Sequence, residues 1–75
     1  MESRKLSLAR KLKDLRESRG ISLRDLASAT AISNPYLSQL ETGKIENPGV
    51  FTLVKLAEFY GVKLEWLVGQ TVSET

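Results

Sequence analysis

Only three residues, 31–33, separate two predicted helices in the middle of this 75-residue chain. A connection this short makes the two helices cross at close range. The small side chain of Ala27 permits the approach, and apolar side chains at Ile32, Leu37 and Leu40 fill the angle between the helices. This turn constrains the fold more than any other feature of the sequence.

Local start and stop signals predict the helices on both sides of the turn. Ser22 followed three residues later by Asp25 is typical of a capping box, so helix two, which is about two turns long, begins here. The helix after the turn, helix three of the chain, begins at residues 33–34, where a polar N-cap precedes Pro35 in the first turn, and it ends just before Gly43.

Apolar side chains at helical spacing predict three more helices. Helix one is amphipathic, covers residues 7–19 and ends at Gly20. Helix four follows the loop of residues 44–49 and ends at Gly61. Residues 64–68 form a last helical turn or two that covers the core. The sequence shows no strand-like alternation and no internal repeat.

The composition limits what such a domain can do. Residues 1–69 are predicted to form one all-α domain with a modest core, followed by a short polar tail over residues 70–75. The chain has no cysteine, histidine, glycine-rich phosphate loop or metal-spaced carboxylate cluster. We therefore expect no catalytic residue, no metal site and no cofactor. The lack of a long apolar run predicts a soluble cytoplasmic protein.

The charge is unevenly distributed along the chain, although the net charge is only +2. Residues 1–30 carry eight basic and four acidic side chains, whereas residues 31–75 carry three basic and five acidic ones. Such an asymmetry would orient the domain in the field of a polyanion. A basic, solvated helix face accounts for the same pattern, so the charge alone does not show that the domain binds a polyanion.

The outward face of the third helix is uncharged and rich in hydrogen-bonding groups. A helical wheel at 100° per residue places Leu37 and Leu40 on one side, with Tyr36 at the border. The opposite side carries Asn34, Pro35, Ser38, Gln39 and Thr42. Asparagine and glutamine can pair with adenine edges, and serine or threonine with several bases. The face therefore favours base reading, although a merely solvated polar face is the alternative.

These residues resemble the phage-repressor-like, or XRE-type, helix-turn-helix domains. The resemblance spans residues 8–68. It is carried by Leu12, Leu15 and Arg16, the runs 21–27 and 32–41, Gly43 and Lys44, Asn47 and Pro48, and the closing run 64–67.

The resemblance implies a compact five-helix lambda-repressor-like DNA-binding domain, with a helix-turn-helix formed by helices two and three. Helix three would enter the major groove of double-stranded DNA, and helix two would lie across the phosphate backbone. The family further implies a transcription regulator that binds a palindromic operator as a homodimer, here expected to be a repressor.

The resemblance also implies roles for single residues. The base-reading positions are matched by Asn34, Pro35, Tyr36 and Gln39, to which the helical wheel adds Ser38. The phosphate-contacting positions are matched by Ser33, Thr42, Lys44 and Asn47, and Arg10 and Arg24 are added by charge and location. Core packing is the alternative for Tyr36, and Pro35 stiffens the helix start whether or not DNA is bound.

Arg16 and Glu41 match family positions that pair with each other inside the domain. Each lies at the edge of the apolar stripe of its helix. We therefore expect a structural ion pair rather than two DNA contacts.

The sequence departs from the family pattern at two positions. Leu23 stands where the family often has a glutamine that braces the first reading residue, and leucine cannot donate a hydrogen bond. Ala31 stands where the family favours glycine. Either the turn is adjusted, or Ala31 takes a left-handed conformation at a cost of about 1 kcal/mol.

A protein-interaction module is the alternative from another class of function. The same fold could serve mainly as an antitoxin or an adaptor, with a toxin or another regulator as its partner. Val50, Phe51, Val62 and Val68 could supply the surface, although core packing or a dimer contact would explain them as well. A steep salt dependence of DNA binding separates the two interpretations.

Overall fold

Five helices make up the part of the chain that the structure, a computed structural model, describes: residues 4–45 and 47–68, with side chains from residue 8 onward. They are α1 (Arg4–Ser18), α2 (Leu23–Thr30), α3 (Asn34–Glu41), α4 (Val50–Tyr60) and α5 (Leu64–Val68). The prediction of an all-α fold with five helices is confirmed. The predicted polar tail lies outside the described residues.

The start of α1 lies one turn earlier than residue 7, where the apolar pattern placed it. The prediction depended on Leu8, the first member of the apolar stripe. Once a helix is nucleated, each further residue adds a backbone hydrogen bond, so the helix extends beyond the side chains that pack. The apolar stripe therefore marks the packed part of α1 and not its first turn.

The helix starts on both sides of the central turn have the predicted caps. The Ser22 hydroxyl accepts a hydrogen bond from the Asp25 amide at 3.0 Å, and the Asp25 carboxylate accepts one from the Ser22 amide at 3.4 Å. Ser33 caps α3, since its hydroxyl accepts from the Tyr36 amide at 3.3 Å. These bonds satisfy amides that the first turn of a helix otherwise leaves unpaired.

Every helix contributes to one core. α3 packs against both α1 and α2, α4 packs against α2 and α5, and α5 returns to α1. The core consists of Leu12, Leu26, Ile32, Leu37, Leu40, Leu53, Leu56, Ala57, Tyr60 and Leu67. Of the eight residues of α3, only Leu37 and Leu40 are fully buried, so most of this helix lies outside the core.

The last helix covers the core through Leu67, which is buried, whereas Trp66 is 48% exposed. The Lys11 ammonium lies 4.7 Å from the centre of the Trp66 ring and donates a hydrogen bond to the Trp66 carbonyl at 2.8 Å. Cation–π attraction and this hydrogen bond together hold α5 against α1.

The turn between α2 and α3 contains a left-handed alanine, with φ 63° and ψ 24° at Ala31. The Thr30 hydroxyl donates to the Leu26 carbonyl at 2.8 Å and accepts from the Ile32 amide at 3.3 Å, so it bridges the turn. Lys55 of α4 donates to the Thr30 carbonyl at 3.2 Å. Of the two outcomes expected for Ala31, the structure has the strained one, and these hydrogen bonds hold it.

Replacing Ala31 by glycine should stabilise the domain. Glycine adopts the left-handed conformation without the steric cost of a Cβ, and Ala31 is exposed, so no packing is lost. We expect the free energy of unfolding to rise by about 0.5–1 kcal/mol, measured by urea unfolding. Ala29→Gly is the matched control, because Ala29 is exposed in the last turn of α2 and glycine there should lower the free energy of unfolding by up to about 1 kcal/mol. A loss of stability in Ala31→Gly would contradict the interpretation that the left-handed conformation of Ala31 is strained.

Tyr60 of α4 is buried, and its hydroxyl has no hydrogen-bond partner among the described residues. The Arg19 guanidinium lies 5.4 Å from the ring centre. Burial raises the pKa of Tyr60 to about 12. In the unfolded chain a tyrosine has a pKa of about 10, so folding favours the neutral phenol.

Stability should therefore fall at high pH. The contribution of the neutral Tyr60 is fully present below about pH 10 and is lost as the pH rises towards 12, by up to roughly 1.4 kcal/mol per pH unit. Tyr60→Phe should lack this loss, and at neutral pH it should match or exceed the wild type because it removes an unpaired hydroxyl. Urea unfolding of both proteins at about pH 8 and about pH 11 tests this. An identical pH dependence in the two proteins would rule out Tyr60 as the cause.

Candidate nucleic-acid interface

The outward face of α3 carries the polar side chains that the sequence singled out. Asn34, Pro35, Gln39 and Thr42 are exposed, and Leu37 and Leu40 lie on the opposite, buried side. The face is free of charged side chains, and its amide groups can both donate and accept hydrogen bonds.

Two of the residues predicted to read bases lie at the borders of this face. Tyr36 is half-buried and packs against the core. Ser38 is half-buried too, and it lines an open cavity of about 180 Å³ between α1, the start of α2 and α3. Asn34, Pro35 and Gln39 are therefore the most accessible members of the predicted set.

Ser33 and Thr42, the two hydroxyl residues predicted to contact phosphate, differ in whether the hydroxyl proton is free to form a new hydrogen bond. The Ser33 oxygen accepts the Tyr36 amide, so its own proton stays available for a phosphate oxygen. The Thr42 hydroxyl directs its single proton to the carbonyls of Ser38 and Gln39, at 3.1 and 3.3 Å. Thr42 would have to rotate its hydroxyl before it could donate to DNA.

The end of α3 fixes where Lys44 emerges. Gly43 has a φ of 81°, which glycine adopts without strain, and the Lys44 amide donates to the Gln39 carbonyl at 2.9 Å. The Lys44 side chain is exposed directly behind this closure. A cation at this point also complements the negative end of the helix dipole.

The other predicted phosphate contacts are dispersed over the surface. Arg24 is exposed in the first turn of α2, and Asn47 is exposed in the loop before α4. Arg10 is exposed on α1 and lines a second open cavity, of about 460 Å³, in which Asp14 and Glu17 also lie. Arg10 therefore lies beside acidic side chains.

Arg16 and Glu41 form an ion pair that joins α1 to α3. The Arg16 Nε donates to the two carboxylate oxygens of Glu41 at 2.9 and 3.2 Å, and an Nη donates to one of them at 3.1 Å. The other Nη donates to the Ile21 carbonyl at 2.9 Å. The side chains are only 16% and 7% exposed, and the hydrogen bonds to Glu41 raise the pKa of Arg16. The guanidinium is therefore occupied by protein groups.

A family model described as helix-turn-helix matches residues 12–67, which is most of the chain and includes all of α2, α3 and α4. The chain belongs to the helix-turn-helix family. This is the phage-repressor-like type that the sequence resembled, a family of DNA-binding transcription regulators.

Two curated relatives extend this result. The chain is 44% identical over 63 residues to the HTH-type transcriptional regulator DdrOP3 of Deinococcus deserti, a match that covers 84% of this chain and 48% of the relative. It is 34% identical over 64 residues to an uncharacterized HTH-type transcriptional regulator of Coxiella burnetii, covering 85% of this chain and 30% of the relative. The chain thus spans half or less of the length of these two proteins.

The fold also matches a solved structure. The crystal structure of the clp gene regulator ClgR from C. glutamicum superposes with a TM-score of 0.77 over the whole of both chains, at 24% sequence identity. At this identity the match concerns the fold alone. Within residues 4–45 and 47–68, no helix is both long and apolar enough to cross a membrane.

One basic residue of this helix-turn-helix domain is part of the uneven charge but is not among the predicted DNA contacts. Lys13 is exposed on α1 and lines the same cavity as Ser38 and Thr42. Its spacing of three residues from Arg16 places it on the side of α1 that faces α3, and that spacing was the signal available in the sequence.

Removing either member of the ion pair should destabilise the domain strongly. Arg16→Ala strands the Glu41 carboxylate, which is only 7% exposed, and Glu41→Ala strands the guanidinium. We expect each variant to lose about 3–5 kcal/mol in urea or thermal unfolding, and the double variant to lose less than the sum.

Arg10→Ala is the control for losing an arginine from α1. Its exposed side chain should leave the free energy of unfolding within about 0.5 kcal/mol of the wild type. If Arg16→Ala unfolds like this control but fails to bind DNA, the pair has a role in DNA contact and not in stability.

Proposed function

We propose that this helix-turn-helix domain binds double-stranded DNA sequence-specifically within a transcription regulator, with α3 in the major groove. The observation that carries the proposal is the exposed, uncharged polar face of α3, on which Asn34 and Gln39 project away from the core. A major groove about 12 Å wide admits an α-helix, and the two amide side chains have the geometry to pair with adenine.

The residues around this face would hold the protein on the DNA backbone. Ser33 retains a donor at the start of α3, and Lys44 supplies a cation at its end. Arg24 and Asn47 are exposed for further contacts, as is Arg10 on α1. Such contacts fix the register on DNA without choosing its sequence. Base preference would then rest on Asn34, Pro35 and Gln39, and Tyr36 and Ser38 would contact DNA from the borders.

The proposal extends to a homodimer on a palindromic operator. A single reading helix of eight residues makes few base contacts, so two copies on half-sites about one helical turn, roughly 34 Å, apart would supply the selectivity. A dimer bound in this way blocks access to a promoter, so we propose repression. The two relatives named above are bacterial, and in bacteria the chromosome lies in the cytoplasm, where such a regulator would work.

Selection of binding sequences from random duplex DNA tests the base-reading role. The wild type should enrich a palindrome, and Gln39→Ala should lose preference at one base pair in each half-site. That loss should amount to about 1–3 kcal/mol of discrimination, because the bidentate partner of one base is gone. Lys44→Ala should instead weaken binding to all sequences equally, since phosphates carry no sequence information.

Glu58→Ala is the control, because Glu58 is exposed on α4 and outside the proposed interface. It should enrich the same palindrome as the wild type. If Gln39→Ala and Asn34→Ala both retain the wild-type preference, α3 does not read bases through these amides.

A protein-interaction role is the second candidate, because two large apolar side chains at the start of α4 are exposed. Val50 is 68% and Phe51 is 79% exposed, whereas Val62 and Val68 pack against the core. An antitoxin or adaptor could use Val50 and Phe51 to bind its partner. Absence of salt-dependent DNA binding in a folded sample would favour this role, since counterion release makes DNA binding fall steeply with salt.

A further inference from the structure

The open cavity of about 180 Å³ beside α3 places a lysine next to the proposed reading helix. Its walls come from three helices: Lys13 and Arg16 of α1, Leu23 of α2, and Ser38 and Glu41 of α3, with Thr42 at the helix end. Lys13 lines this cavity and is exposed to solvent.

The charge of Lys13 is not neutralised within the cavity. Glu41 is the acidic residue among the lining side chains, and it already accepts three hydrogen bonds from Arg16. Lys13 also lines the second open cavity, in which Asp14 and Glu17 lie, but among the described residues it forms no ion pair. The cavity therefore combines a balanced ion pair with one additional positive charge.

The position of Lys13 favours contact with the DNA backbone rather than with the bases. A helix lying in the major groove has a phosphate strand along each of its two sides. α1 packs against α3 on the side of Glu41 and Ser38, so the strand on that side would pass the mouth of the cavity. A lysine acts on phosphate as a flexible point charge and does not need fixed geometry.

We propose that Lys13 binds a phosphate of the DNA strand on the α1 side of the groove. This inference rests on the proposed function, because it takes α3 to be the helix in the groove. Lys13 then anchors the flank of α3, whereas Lys44 anchors its end. Its contribution to affinity is independent of sequence, since it touches the backbone alone.

The test compares Lys13→Gln with Lys63→Gln, which removes the same charge from an exposed position before α5. Affinity for a duplex of about 30 base pairs is measured by fluorescence anisotropy between about 50 and 200 mM salt, with circular dichroism to show that each variant is folded. The same measurement on Lys13→Arg tests whether any cation at this position restores binding.

Lys13→Gln should lower the slope of log affinity against log salt by about 0.9 per DNA-bound domain, and Lys63→Gln should keep the wild-type slope. Lys13→Arg should recover the wild-type slope, because any cation at this position can neutralise the phosphate. A wild-type slope in folded Lys13→Gln overturns the inference and leaves the proposed function intact. Wild-type protein that binds the duplex without salt dependence overturns both.

Discussion

The three-residue connection between α2 and α3 is the constraint on which the rest of the structure depends. Ala31 takes a left-handed conformation, and the Thr30 hydroxyl bridges the turn from Leu26 to Ile32. α3 therefore leaves α2 in one direction, and in that direction Leu37 and Leu40 enter the core. The face opposite these two residues, with Asn34 and Gln39, lies outside, which is how a packing requirement of the core produces an accessible polar face.

The polar residues of the domain divide into two groups by burial. Arg16 and Glu41 are largely withdrawn from water, and they satisfy each other and the Ile21 carbonyl. Charges in such a place are costly unless paired, so their hydrogen bonds serve the contact of α1 with α3. The side-chain amides of Asn34 and Gln39 are exposed to water, so they need no hydrogen-bond partner within the protein. The same helix can thus be held by one polar residue and present others for recognition.

The five helices and most of their bounds could be predicted from the sequence, because helix caps and apolar spacing depend on neighbouring residues. The capping box at Ser22, the N-cap at Ser33 and the apolar spacing of each helix follow from neighbouring residues. The conformation of Ala31 could only be narrowed to two outcomes, since it depends on hydrogen bonds made by Thr30 and by Lys55 of a distant helix. The cavity beside Ser38 joins three helices, so no single stretch of sequence encodes it.

That α3 enters DNA can be tested directly by heteronuclear NMR of the ¹⁵N-labelled chain during titration with duplex DNA. The side-chain amide groups of Asn34 and Gln39 report on the outward face, and the backbone amide of Glu58 on α4 serves as a distant reference. We expect the resonances of the two side-chain amides to shift while that of Glu58 stays in place. Saturating DNA binding that leaves both side-chain amides unmoved would contradict the assignment of α3 as the reading helix.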